Sequence, residues 1–178
     1  MPLRFRVLAI AILFAGLFGV VHNQISYTVC PEYFTQFKFH QFRIENVPHR
    51  LGAAIVGWKA AWWMGIVISV VLIPAGLIIR ETRDYFWGMI RVFVIVASTT
   101  LLIGLVALAI TFVTVDRNSA GEFTRYGNEI TDDVAFARAW TMHNFSYLGG
   151  LIGIITGGIE IYRQARRQLT SDSLNEIA

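Results

Sequence analysis

The chain has 178 residues, 55% hydrophobic and 15% charged, with a formal net charge of +3, four His and one Cys. A soluble domain carries about 45–50% apolar and about 25% charged residues, and the apolar excess here is gathered in long runs, which excludes an ordinary soluble fold. A single Cys excludes an intrachain disulfide, and the basic residues cap the ends of apolar runs instead of covering one face, which excludes nucleic acid as a partner.

Four runs predict an all-α, integral membrane four-helix bundle. It forms a single membrane domain over 1–178, with spans at 5–26, 58–79, 91–115 and 138–163 and outer loops at 27–57 and 116–137. The first run, Val7–Val21, is short for a span of about 20 residues, but it can extend into the adjoining HNQISY while Arg6 snorkels. Its basic start, MPLRFR, also fits a signal peptide. No A-x-A-like pair comes after it, so retention as a span is expected.

The next stretch, PEYFTQFKFHQF (31–42), has five aromatics interleaved with Lys38 and His40. It mixes strand and helix spacing. It is expected in the headgroup region, with a lid over a polar site as the other reading. The second run, Ala60–Ile79, carries an outer belt of Trp58, Trp62 and Trp63 with Lys59, and Pro74 predicts a kink. The third, Val92–Val115, holds Ser98, Thr99 and Thr100, whose hydroxyls can bond back to the helix or across to a neighbour. The fourth, Trp140–Tyr162, lies after ITDD (130–133), a predicted N-cap. On it His143, Ser146, Tyr147, Gly150, Ile154 and Gly157 share a face, and Gly149, Gly153 and Gly157 form a small-residue stripe that predicts close packing on another helix.

Arg4 and Arg6, then Arg80, Arg83 and Arg91, then Arg163, Arg166 and Arg167 flank the same side of the spans. The positive-inside rule then puts both termini in the cytoplasm of a bacterial inner membrane. Glu81 and Glu160 are expected to pair with Arg80, Arg83 and Arg163 at that border. No ionisable residue lies mid-span, which argues against a pump or a transporter.

The outer ends carry two similar stretches, VHNQISYT (21–28) and MHNFSYLG (142–149). They are expected to converge on one site. The candidate ligand-binding residues are His22, Asn23, Tyr27, Glu32, His143, Asn144 and Tyr147. The candidate metal ligands are His22, Glu32 and His143, with a transition metal as the candidate cofactor, although no familiar metal spacing occurs. The competing reading is a hydrogen-bonded network that ties two helix ends together. Cys30 with either histidine could form a nucleophile–base pair; the plainer reading is an inert packed thiol.

The order H-N-Q-I-S, C-P-E-Y-F-T, W-x-x-x-W-W-x-G, H-N-x-S-Y-x-x-G-x-x-G resembles a family of small four-span bacterial membrane proteins of uncharacterised function. It covers His22–Ser26, Cys30–Thr35, Trp58–Gly65 and His143–Gly153. In that family Asp often stands where this chain has Asn23, which removes one carboxylate from a metal set. The loop after Thr35 also departs from the shorter Gly/Pro-rich forms. The resemblance implies a membrane bundle, draws attention to His22, Cys30, Glu32 and His143, and implies no activity. The leading expectation is a binding protein for a metal ion or small polar ligand, not an enzyme. The alternatives are an accessory protein packing on a membrane partner or a second copy, and a metal-dependent membrane oxidoreductase.

Overall fold

The computed structural model describes the backbone of residues 2–175 and the side chains of residues 2–170. Met1 and residues 176–178 of the expected domain lie outside the described residues. The fold is all-α, with four long helices: α1 (Leu3–Val29), α3 (His49–Gly76), α4 (Thr82–Thr114) and α5 (Asp133–Asn175). All four are long and apolar enough to cross a membrane. Their outward faces are apolar: Val70, Leu102, Ile110, Val113, Leu151 and Ile155 are each more than half exposed. Such a surface is stable only where lipid replaces water.

All four helices start before the expected spans, while α3 and α4 stop short of their expected ends. The α4 helix starts at Thr82, inside a polar stretch with Arg83, Asp84 and Arg91 that hydropathy does not register. The α3 helix starts at His49, directly after Pro48, and stops at Gly76. Pro74 therefore sits in the last turn and marks the end of the helix; it does not kink the middle.

Two antiparallel pairs make the bundle. In the pair α1–α3, Ala11, Ala15 and Gly19 recur every fourth residue opposite Gly57, Ala61 and Gly65. A Cβ on Gly19 would run into the Gly57 carbonyl and Ala61, and one on Gly65 into the Ala11 backbone. The backbones touch because nothing larger than an alanine methyl stands between the helices there. The pair α4–α5 is built alike: Gly149 lies on Thr100, Gly153 on Val96 and Gly157 on Val92. The expected stripe thus packs on α4. Thr100 bonds back to Val96 O at 2.8 Å, and Thr99 reaches Thr156 at 3.5 Å across the same seam. Glu160 pairs across it with Arg91 at 3.5 Å, not with Arg163.

Larger side chains separate the two pairs. Leu72, Met89, Val92, Phe93 and Ile161 fill one end. Tyr33, Phe34, Val56, Phe136 and Ala139 fill the other. The second cluster includes the chain after α1, a π-helical segment (Tyr33–Lys38) running into α2 (Phe39–Phe42). Between α4 and α5 a two-residue ribbon, β1 (Thr124–Arg125) with β2 (Asn128–Glu129), turns at Tyr126 and Gly127, both at positive φ (54° and 80°). Such a turn suits glycine at its second position.

The start of α5 is tied to the end of α1. Asp132 caps the helix, its Oδ1 accepting from Ala135 N–H at 2.9 Å. Glu32 accepts from the N–H groups of Thr131 and Asp132 at 3.1 and 3.0 Å and from the Thr131 hydroxyl. Partial burial pushes the Glu32 carboxyl up, but these bonds together outweigh it and hold the group below its ordinary value of 4.5. A depressed folded-state value stabilises the protein above the ordinary value, and that contribution is lost as pH falls through the depressed one. Glu32→Gln should therefore lower stability at neutral pH by about 1 kcal/mol, allowing for the site's exposure. The gap to wild type should close in acid. Chemical denaturation at pH 7 and below pH 4 checks this.

Candidate functional site

His22 on α1 and His143 on α5 meet edge to face, their ring centroids 4.5 Å apart at 82°. His22 is buried and His143 half-buried. Tyr33 stacks on His143 at 4.7 Å and 29°, and Phe18 packs on His22 at 5.5 Å. The stretches 21–28 and 142–149 converge, as their sequences led one to expect, and each imidazole is held by the other helix's serine. His22 Nε2 lies 2.9 Å from Ser146 Oγ, and His143 Nε2 lies 3.1 Å from Ser26 Oγ.

Around His22 the contacts form a string. Asn23 donates from Nδ2 to Ala53 O at 3.1 Å, which turns its Oδ1 toward His22 Nδ1 at 3.4 Å. Beyond Nε2, Ser146 Oγ lies 2.9 Å from Met142 O. Both ends of the string are carbonyl oxygens, which only accept. Three contacts need three protons, and a neutral imidazole plus one hydroxyl supply two. The string is one proton short and can receive one hydrogen bond from a ligand.

This pair lies at the polar end of a cavity of about 350 Å³ between the two helix pairs. Phe14 and Phe18 of α1, Ile68 of α3 and Phe93 of α4 form apolar walls. Lys38, Gln41 and Phe42, from the segment after α1, cover the end near the histidines. The segment thus lies against the site, as the other reading of 31–42 had it, with Tyr33 seated on His143. The volume lies within the range of about 300–1,000 Å³ usual for small-molecule pockets.

The other expected site residues divide. Asn23 and Tyr147 line the cavity, Tyr147 at the rim with 65% exposure. Asn144 is exposed and does not line this cavity. Tyr27 packs on Phe34 at 5.6 Å, with the Arg50 guanidinium 5.2 Å from its ring centroid, away from the cavity. Glu32 is drawn off to the α5 N-terminus because three donors wait there. The expected metal set of His22, Glu32 and His143 is accordingly not assembled. No three His, Cys, Asp or Glu side chains gather as a metal site among the described residues. Two imidazoles whose Nε2 atoms already engage serines do not fit a transition metal, which takes four or more ligands.

Cys30 is buried, and its Sγ accepts from Tyr33 N–H at 3.3 Å. Burial, with the charges of Glu32 and Asp132 adding to it, pushes the thiol up to about 11, against the Tyr33 N–H. It is a packed thiol, and no imidazole contact activates it among the described residues. Sequence reading missed Lys38 and Lys59 as site residues. Both line the cavity, Lys38 half-buried and held by Gln41 Oε1 at 3.0 Å, and Lys59 exposed and held by Phe42 O at 3.2 Å. A signal for Lys59 was its position next to Trp58 at the mouth of a span. No protein-family model, curated protein or solved structure matches this chain.

Proposed function

We propose that this is a multi-pass protein of the bacterial inner membrane that binds a small molecule through a hydrogen-bonding group at the His22/His143 pair. The polar end faces outward and both termini face the cytoplasm, as the arginines beside Arg4, Arg80 and Arg163 imply. One observation carries the reading: two imidazoles from opposite ends of the chain meet at the polar end of a 350 Å³ cavity. Helix interfaces ordinarily close over voids, and at this pair they do not. The chemistry of this reading is binding, because the hydroxyls beside the imidazoles, Ser146 and Ser26, are turned to the carbonyls of Met142 and Asn23 at 2.9 and 3.5 Å.

Histidine-only isotope labelling tests this reading, since the chain has four His. In nanodiscs of neutral lipid, His22 and His143 should give a ring-to-ring cross-peak. Adding a total bacterial lipid and metabolite extract should move these two sets of resonances and leave those of His40 and His49 in place. Absence of the cross-peak, or equal movement of all four, would overturn the proposal.

A second reading, an accessory protein that packs on a membrane partner or a second copy, draws support from the apolar outer face of α4, where Val113 is 90% exposed. Lipid accounts for that face equally well.

A further inference from the structure

The charge in the cavity is of one sign. Lys38 and Lys59 line it, and no Asp or Glu does. Among the described residues the one ion pair is Arg91–Glu160, on the far side of the bundle, so neither ammonium has a carboxylate partner. Each instead donates to a neutral acceptor, Lys38 to the Gln41 amide and Lys59 to the Phe42 carbonyl. Burial holds the Lys38 ammonium down at about 8, the mark of a cation with poor solvation and no counter-charge. Below this polar end the walls are Phe14, Phe18, Ile68 and Phe93, and the depth reaches Ala11 and Val96. A free inorganic ion would leave that apolar space unfilled, and a cationic head would meet two like charges.

The lining residues that are exposed include Trp63 on α3 and Tyr147 on α5. The cavity therefore opens between these two helices. Farther along, Leu72 lies under Gly157, and α3 and α5 close together. The mouth is thus at the depth of the aromatic belt, where a lipid-dissolved molecule presents its head.

We infer that the cavity takes an anionic amphiphile, with one apolar chain between the helix pairs and a carboxylate or phosphate head held by Lys38 and Lys59 beside the histidines. This rests on the binding reading above and adds the ligand's chemical class. The head accepts from both ammonium groups, and a head that keeps a proton also donates one hydrogen bond to the imidazole string. The chain replaces lipid contacts with those of the phenylalanine walls.

The test is a titration of the full-length protein in neutral nanodiscs with probes of matched chain length: dodecanoate, dodecyl phosphate, dodecanol and dodecyltrimethylammonium. Acetate and inorganic phosphate serve as controls without a chain. The two anionic amphiphiles should bind about tenfold to a hundredfold more tightly than the alcohol, the worth of hydrogen bonds to a charged group. The cationic probe and the chainless anions should bind more weakly still. Lys38→Met with Lys59→Met, folded by circular dichroism, should bring dodecanoate down to the affinity of dodecanol. Equal affinity for dodecanoate and dodecanol in the wild type would overturn the charge assignment while leaving the binding proposal standing. Equal affinity for acetate and dodecanoate would overturn the amphiphile. No binding of any probe, together with unmoved His22 and His143 resonances in the extract experiment, would overturn both.

Discussion

Gly57→Leu should unfold the pairing of α1 with α3. The Gly57 position has the Gly19 carbonyl and the Val20 nitrogen directly against it, so an added side chain meets backbone, which cannot swing aside. Overpacking an interior usually costs about 1–3 kcal/mol where side chains can repack; here the helices must separate, and about 3 kcal/mol or more is expected. Separation would also widen the cavity, because Gly57 and Gly19 both line it. Gly150→Leu is the matched control, since nothing lies within 4 Å of a Cβ at Gly150. Thermal denaturation in detergent should show a large loss for the first substitution and a small one for the second. Equal losses would mean that the α1–α3 seam is not closely packed.

The four membrane helices were legible because lipid imposes a simple rule: backbone groups must be paired within the helix, and side chains must be apolar over about 20 residues. The same rule hides the helix ends. Hydrogen bonding continues past the hydrocarbon, so α4 reaches back to Thr82 and α5 to Asp133 through polar sequence. The meeting of His22 with His143 was legible from topology, since both stretches end at the same face. The seam of Ala11, Ala15 and Gly19 against Gly57, Ala61 and Gly65 is present in the sequence as a four-residue period, although only the glycines of the last helix stand out there as a stripe.

Lys38 and Glu32 were not legible in the same sense. The segment Tyr33–Lys38 is π-helical, which adds a residue per turn and rotates the chain beyond it. The mixed spacing of Phe34, Phe37 and Phe39 is the trace of that insertion, and it conceals which side Lys38 takes. Glu32 looks like a metal ligand because a carboxylate near two histidines usually is one. Its fate is decided by donors on Thr131 and Asp132, about a hundred residues away in sequence, and no local pattern announces them.

The second large effect concerns the ligand itself. His22→Ala with His143→Ala removes both imidazoles from the polar end, together with their bonds to Ser146 and Ser26. Each serine left unpaired costs the fold about 1–3 kcal/mol, and removal of the imidazoles takes away the ligand's hydrogen-bonding partners, so the ligand should be lost even if the variant stays folded. Native mass spectrometry of protein released directly from membranes, beside elemental analysis for bound metal, is the most direct measurement. The wild type should carry one organic molecule per chain and no stoichiometric metal, and the double variant, still helical by circular dichroism, should carry neither. The same adduct on both proteins, or one transition metal per wild-type chain, would contradict a ligand site built on the His22/His143 pair.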